Sequence, residues 1–246
     1  MDKIVKPLLG IIGGLGPMSS VYFYELITSH TKAVRDQDHI DIILSSKAST
    51  PDRTAYIVGK SSESPLPCMI EEARMLERCG ASVIVIPCNT AHYFIDQVRN
   101  SVSAGVPSII EETVYHLNKT GTEKAGILAT EGTILSRSYQ CKLDEAGISY
   151  EIPDEKYQKR LTELIYDDIK SGKTADTDKF NSVINHMKEK GCDKMILGCT
   201  ELSLINKTLG ESPQIIDSLE VLACSAIRMC GHEAVGFCPE FDLLCN

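Results

Sequence analysis

The chain has 246 residues, 43% of them hydrophobic and 24% charged, with a formal net charge of −9. That length carries one large domain or two small ones, each able to bury its own core, and the composition is that of a globular protein. The acidic balance excludes nucleic acid as a main partner, because neutralising phosphates needs a basic surface.

The opening residues, Met1 to Met18, place lysines before an apolar stretch, as a signal peptide would. Gly10, Gly13, Gly14, Gly16 and Pro17 interrupt that stretch and no small-residue cleavage site follows, so a strand running into a glycine turn is the better reading. No apolar run reaches membrane-spanning length, so the expectation is a cytoplasmic protein without a membrane partner. Pro7–Ile12 reads as the first strand, and Ser19 or Ser20 precedes a helix with apolar positions at Val21, Tyr24 and Ile27. Asp41–Leu44 is a second strand, followed by a polar loop holding Pro51-Asp52-Arg53-Thr54. Pro65 to Cys79 is helical, with Met69, Ala73 and Leu76 on one face, and Gly80 ends it. Val83–Ile86 is the next strand and Pro107–Ile110 a short fourth one.

The pattern then restarts. Lys124–Leu128 is a strand, with a turn at 129–133 and a helix from Ser136 to Ala146. A long helix spans about Asp154 to Ser171 and another Thr177 to Lys190; the strand Met195–Leu197, Gln214–Ile216 as the match of Pro107–Ile110, and a last helix, Ser218–Met229, follow. Gly10 lies 78 residues before Cys88 and Gly126 lies 73 before Cys199, near-equal spacings that point to a duplicated α/β unit.

The Gly10-x-x-Gly13-Gly14-x-Gly16 turn invites a dinucleotide reading, but Pro17 follows the third glycine and the second strand runs out into Ser45-Ser46-Lys47, without the expected acidic residue. Close backbone approach to any ligand would select the same glycines. No cofactor is implied.

The cysteines lie at 68, 79, 88, 141, 192, 199, 224, 230, 238 and 245, with no Cys-x-x-Cys pair. That spacing fits neither a zinc site nor a disulfide scaffold, so no metal is expected. Eight of the ten read as reduced, buried, small hydrophobes. The other two are matched: Pro87-Cys88-Asn89-Thr90-Ala91-His92 and Gly198-Cys199-Thr200-Glu201-Leu202 each follow an apolar strand, at the sheet edge where open α/β folds bind ligands. A helix N-terminus lowers a thiol's pKa, and both cysteines are placed for that effect. The same N–H groups, with Asn89, Thr90 and Thr200, could hold an α-carboxylate. A thiolate and a thiol on opposite faces of one carbon could invert it by moving protons. His92, about one turn beyond Cys88, could tune that thiol or cap a helix; His30, His39, His116, His186 and His232 read as surface or helix residues. A second class of reading is a silent binding or redox-sensing protein, in which Cys88 and Cys199 form a reversible disulfide.

These residues resemble the aspartate/glutamate racemases that work without pyridoxal phosphate, and most closely the aspartate racemases. The likeness is carried by Gly13-Gly14-Leu15-Gly16-Pro17, Pro51-Asp52-Arg53-Thr54-Ala55-Tyr56, Pro87 to His92, Glu111-Glu112-Thr113, Ala129-Thr130-Glu131-Gly132-Thr133 and Gly198-Cys199-Thr200-Glu201. It implies two similar α/β domains related by a pseudo-twofold, each with a mostly parallel sheet flanked by helices and with the active site in the cleft between them. The domains would be 1–114 with 218–246, carrying Cys88, and 115–217, carrying Cys199. It also implies a homodimer acting on a small dicarboxylic amino acid, aspartate first and glutamate or a broader range as alternatives. Cys199 would serve the L face and Cys88 the D face, with Arg53 and Lys159 on substrate carboxylates and Asn89, Thr90, Thr130 and Thr200 around the substrate. Two departures bear on side-chain specificity: Leu15 stands where the family usually carries Met, and the loop Ser45-Ser46-Lys47-Ala48-Ser49 lacks an asparagine-rich stretch.

Overall fold

The structure, a computed structural model, describes residues 7–210 and 212–237. Met1 to Lys6, Cys238 and Cys245 lie outside them. The first half runs β1 (Leu8–Gly13), α1 (Pro17–His30), β2 (Ile42–Ser46), α2 (Arg53–Ile57), α3 (Leu66–Arg78), β3 (Ala81–Val85), α4 (Ile95–Arg99) and α5 (Ile109–Lys119). The second half runs β4 (Lys124–Ala129), α6 (Glu131–Leu135), α7 (Ser138–Ala146), β5 (Ser149–Glu151), α8 (Glu155–Glu163), α9 (Thr177–Glu189), β6 (Lys194–Gly198), α10 (Thr200–Leu209), β7 (Ile215–Asp217) and α11 (Ser218–Met229).

Two all-parallel sheets result, ordered β2-β1-β3 and β5-β4-β6-β7. Parallel strands need cover on both faces, and successive residues alternate between those faces. Leu9, Ile11, Val83 and Val85 of the first sheet share one buried cluster with Ile127, Ile196 and Ile216 of the second, packed around α1, α5 and α11. Ile12, Ile84 and Ile86 turn the other way, onto Met69, Ala73 and Leu76 of α3. Leu128 and Leu197 do the same in the second sheet, against Leu161 and against Phe180, Val183 and Met187 of α9. The α/β architecture with two parallel sheets flanked by helices is therefore as the sequence implies. Among the described residues no helix is long and apolar enough to cross a membrane.

Four local expectations need correction. Residues 107–110 do not form a strand: Gly105 makes the bridge to β3, and Ser108 caps α5 by accepting the Glu111 N–H at 3.3 Å. A serine followed three residues on by a glutamate is a helix-start signal, and here it overrides the apolar pair Ile109–Ile110, which becomes the buried face of the helix. In α1 the buried face is Tyr22, Phe23, Leu26 and Ile27, leaving Val21 and Tyr24 about half exposed. The helix expected over 154–171 is α8 followed by a π-helical turn, Leu164–Ile169. Finally, Cys79 and Cys141 are exposed rather than buried, at the end of α3 and on the outer side of α7.

Candidate active site

Both matched cysteines sit just beyond their strands. Cys199 occupies the cap position of α10 in extended backbone, so its side chain stands at the head of a ten-residue helix. Cys88 leads only into a short 3-10 turn, Thr90–Phe94. Both thiols are buried and free of disulfides. They line one small cleft, of about 10 Å³, with Leu15, Asp52, Arg53, Thr54, Asn89, Thr90, Thr130, Lys170, Thr200 and Glu201. Seven of the eight residues singled out from sequence are thus brought together; Lys159 is not.

Lys159 is exposed on α8, two residues from the buried Leu161 and so on the opposite side of the helix. The inward neighbour is Gln158, whose side-chain amide donates to the Ala129 carbonyl at 2.9 Å. The cation that reaches the cleft beside Arg53 is Lys170, delivered by the π turn, which lengthens one winding and shifts the phase of every later residue. Burial opposes its charge, but the acidic groups around it, the Glu201 carboxylate first among them, outweigh burial and raise its pKa. Its amino group lies 3.8 Å from Glu201 Oε1.

Glu201 also receives the Cys199 thiol, which donates to Oε2 at 3.0 Å. Gly16 makes room for this carboxylate: a Cβ there would meet Glu201 Oε1 at 2.5 Å. Burial first, and the Glu201 charge second, push the Cys199 thiol well above its ordinary pKa. The helix terminus therefore does not leave Cys199 as a thiolate. The expectation of a lowered pKa fails there because desolvation of a fully buried sulfur, next to a carboxylate, outweighs the dipole.

Arg53 is 7% exposed and much of its guanidinium is committed. Nη2 donates to the Leu15 carbonyl at 2.7 Å and Nη1 to those of Thr50 and Pro51 at 3.3 and 3.2 Å. It clamps the glycine turn to the loop before α2, and its buried Nε remains without a partner. Asp52 caps α2 through the Ala55 N–H at 2.6 Å.

Three threonines join the halves. Thr90 Oγ1 lies 2.9 Å from both Thr130 Oγ1 and Thr133 Oγ1. Thr130 caps α6 by accepting the Thr133 N–H at 3.2 Å. Gly132 lets the chains approach, since a Cβ there would lie 2.9 Å from Thr54 Cα. Asn89 makes the other bridge: its Oδ1 accepts from the Tyr139 hydroxyl at 2.6 Å and its Nδ2 donates to Ser218 Oγ at 3.0 Å. Ser218 in turn donates to the Leu197 carbonyl at 2.6 Å, two residues before Cys199.

His92 has both ring nitrogens on backbone. Nε2 accepts the Ile109 N–H at 3.0 Å, so Nδ1 carries the proton and donates to the Cys88 carbonyl at 2.9 Å. Burial pushes its pKa down to about 4. It is a neutral helix cap that anchors the Cys88 loop to α5.

A family model described as Asp/Glu/Hydantoin racemase matches residues 12–226. The chain belongs to this racemase family. A solved Picrophilus torridus aspartate racemase is 30% identical, with a TM-score of 0.82, over 96% of this chain and 98% of that one. The broad specificity amino-acid racemase of Bacillus subtilis is 27% identical over 224 residues, covering 89% of this chain and 96% of its own. Glutamate racemase of Aquifex pyrophilus is 29% identical over 174 residues, 68% of this chain and 65% of its own. The protein is an isomerase, an amino-acid racemase acting on small amino-acid substrates. In this racemase, sequence reasoning missed Lys170 as a cleft residue, Glu201 as the partner of Cys199, and Tyr139 and Ser218 as supports of Asn89. Glu201 alone carried a signal, since it lies inside the second cysteine motif.

Proposed function

We propose that this racemase interconverts L- and D-aspartate without a cofactor, by proton transfer between its two thiols. The observation that carries the reading is that Cys88 and Cys199, from the ends of β3 and β6, line the same buried cleft. One sulfur, as thiolate, removes the α-proton; the other, as thiol, returns a proton to the opposite face of the planar carbanion. With Cys199 on the L face, its protonated state suits the D-to-L direction. In the L-to-D direction Cys199 must first lose its proton, and Glu201 Oε2, 3.0 Å away, is the acceptor. Lys170 then offsets the negative charge the pair holds.

An α-proton is a very weak acid, so the enediolate needs donors already aimed at it in a dry site. The unpartnered Nε of Arg53 supplies one, with the Thr90 and Thr200 hydroxyls and the remaining Nδ2 proton of Asn89 around it. Lys170 takes the β-carboxylate of aspartate, the role the family resemblance carries to Lys159. The cleft holds no more than about one water as it stands, so substrate binds as the walls part and is then enclosed.

The test is α-proton exchange. Purified protein without added cofactor should exchange the α-proton of L-aspartate with deuterium from D₂O while D-aspartate accumulates. Cys88→Ser and Cys199→Ser should each abolish racemisation; unchanged turnover in Cys199→Ser refutes the two-thiol assignment.

A further inference from the structure

Aspartate brings a cation to this cleft as well as two carboxylates, and the groups named above receive only the carboxylates. A buried ammonium without a counter-charge is costly, so a carboxylate has to meet it. Two line the cleft, Asp52 and Glu201. Glu201 is already engaged: its Oε2 takes the Cys199 thiol at 3.0 Å, and Lys170 stands 3.8 Å from its Oε1. It also loses its charge whenever it accepts the Cys199 proton. An ammonium held there would be left unpaired in the step that needs Cys199 as a base. Asp52 is free of both demands. Its Oδ1 accepts the Ala55 N–H at 2.6 Å, which fixes the carboxylate at the start of α2, next to Arg53, and leaves Oδ2 for a ligand. No lysine, arginine or histidine among the described residues forms an ion pair with it. It stands where the cleft meets an open groove of about 500 Å³, so it keeps its hydration until a substrate arrives. Its charge reaches inward as well: Tyr166, whose pKa is raised first by burial, is raised further by Asp52 and Cys199.

We infer that Asp52 receives the α-ammonium of the substrate on Oδ2, and is the residue by which this racemase tells an amino acid from a dicarboxylate of the same shape. The inference rests on the reading above, in which Cα lies between the sulfurs with its carboxylates on Arg53 and Lys170. The contact also has a chemical use. A neighbouring carboxylate keeps the amine protonated, and a protonated amine draws charge from Cα as the carbanion forms.

Succinate, which is aspartate without its amino group, isolates this contact. Asp52→Asn removes the charge and keeps the helix cap, because asparagine caps as well as aspartate does. It should lower kcat/KM for aspartate by about tenfold or more. The inhibition constant of succinate should stay at the wild-type value or fall, since a carboxylate no longer faces the dianion. Asp52→Ser, which also caps without charge, should give the same split. A variant that has merely lost the shape of the site weakens both ligands together, and that result overturns the inference. So does an unchanged kcat/KM for aspartate, or a split that appears in Glu201→Gln and not in Asp52→Asn. Each of these leaves the two-thiol reading standing as long as the wild type racemises aspartate. Absence of α-proton exchange with aspartate in the wild type overturns both.

Discussion

Replacing Tyr139 by Phe removes one oxygen, and the structure says what that oxygen supports. Tyr139 is fully buried, and its hydroxyl donates to Asn89 Oδ1 at 2.6 Å. Asn89 adjoins Cys88 and donates onward to Ser218, which holds the carbonyl of Leu197. The relay therefore ties the Cys88 loop of one sheet to the strand that presents Cys199 from the other. The variant leaves a buried amide oxygen without its donor, which costs about 1–3 kcal/mol of stability. Proton transfer between two fixed sulfurs depends on distance more steeply than binding does, and a misplacement on the order of 1 Å can cost about 100-fold in rate. Tyr139→Phe should therefore lower kcat for aspartate by about 10-fold or more with a smaller change in KM. Urea denaturation and initial rates well below the melting temperature separate the two effects. Loss of stability with kcat unchanged would refute the positioning argument, because the hydrogen bond would then serve the fold alone.

Lys170→Met should raise KM for aspartate by about 10-fold or more, while Lys159→Met, on the outer face of α8, should change neither constant; the reverse result would place the substrate elsewhere. Glu201→Gln removes both the acceptor for the Cys199 proton and one of the two main causes of that thiol's raised pKa. Its kcat/KM should fall by about 100-fold, equally in both directions because the equilibrium constant of racemisation is one, and the pH–rate profile should shift to lower pH. His92 is held neutral at a pKa of about 4, below its ordinary 6.5. Between those values the unfolded chain binds more protons, so this contribution is complete above pH 6.5 and is lost as pH falls towards 4. At about 1.4 kcal/mol per pH unit the loss reaches about 3 kcal/mol. Stability measured against pH should fall faster over that window in the wild type than in His92→Gln; parallel curves would contradict the assignment.

What could be read from sequence is what local pattern encodes. Cys88 and Cys199 stand out because each ends an apolar strand and begins a polar motif, and because the two motifs repeat at similar distances from a strand glycine. The buried face of α3 follows from its helical period, and the buried strands β1, β3, β4 and β6 from their apolar runs. The misses have specific causes. At Ser108 a cap competes with a strand reading only four residues long, carried by the pair Ile109–Ile110, and the cap prevails because it satisfies backbone groups that an isolated edge strand would leave open. β5 has three residues, too few for any alternation to show. Lys170 is hidden by the π turn: at a constant 3.6 residues per turn the charged start of α8 draws attention, whereas one widened winding re-aims everything after Leu164.

Tyr139, Ser218 and Asn89 illustrate a different limit. Each looks ordinary in its own element, and the relay appears only when residues 50 and 129 positions apart meet. Such contacts are created by the docking of the two sheets on their shared core. The site's chemistry is thus encoded locally, in two short motifs, while its geometry is encoded globally, in how tightly the halves close. This asymmetry bears on substitution as well. Exchanging a cleft residue should alter chemistry at fixed geometry, but exchanging a relay residue should loosen both sulfurs at once, so the effects of Tyr139→Phe and Ser218→Ala on kcat should fall well short of additive.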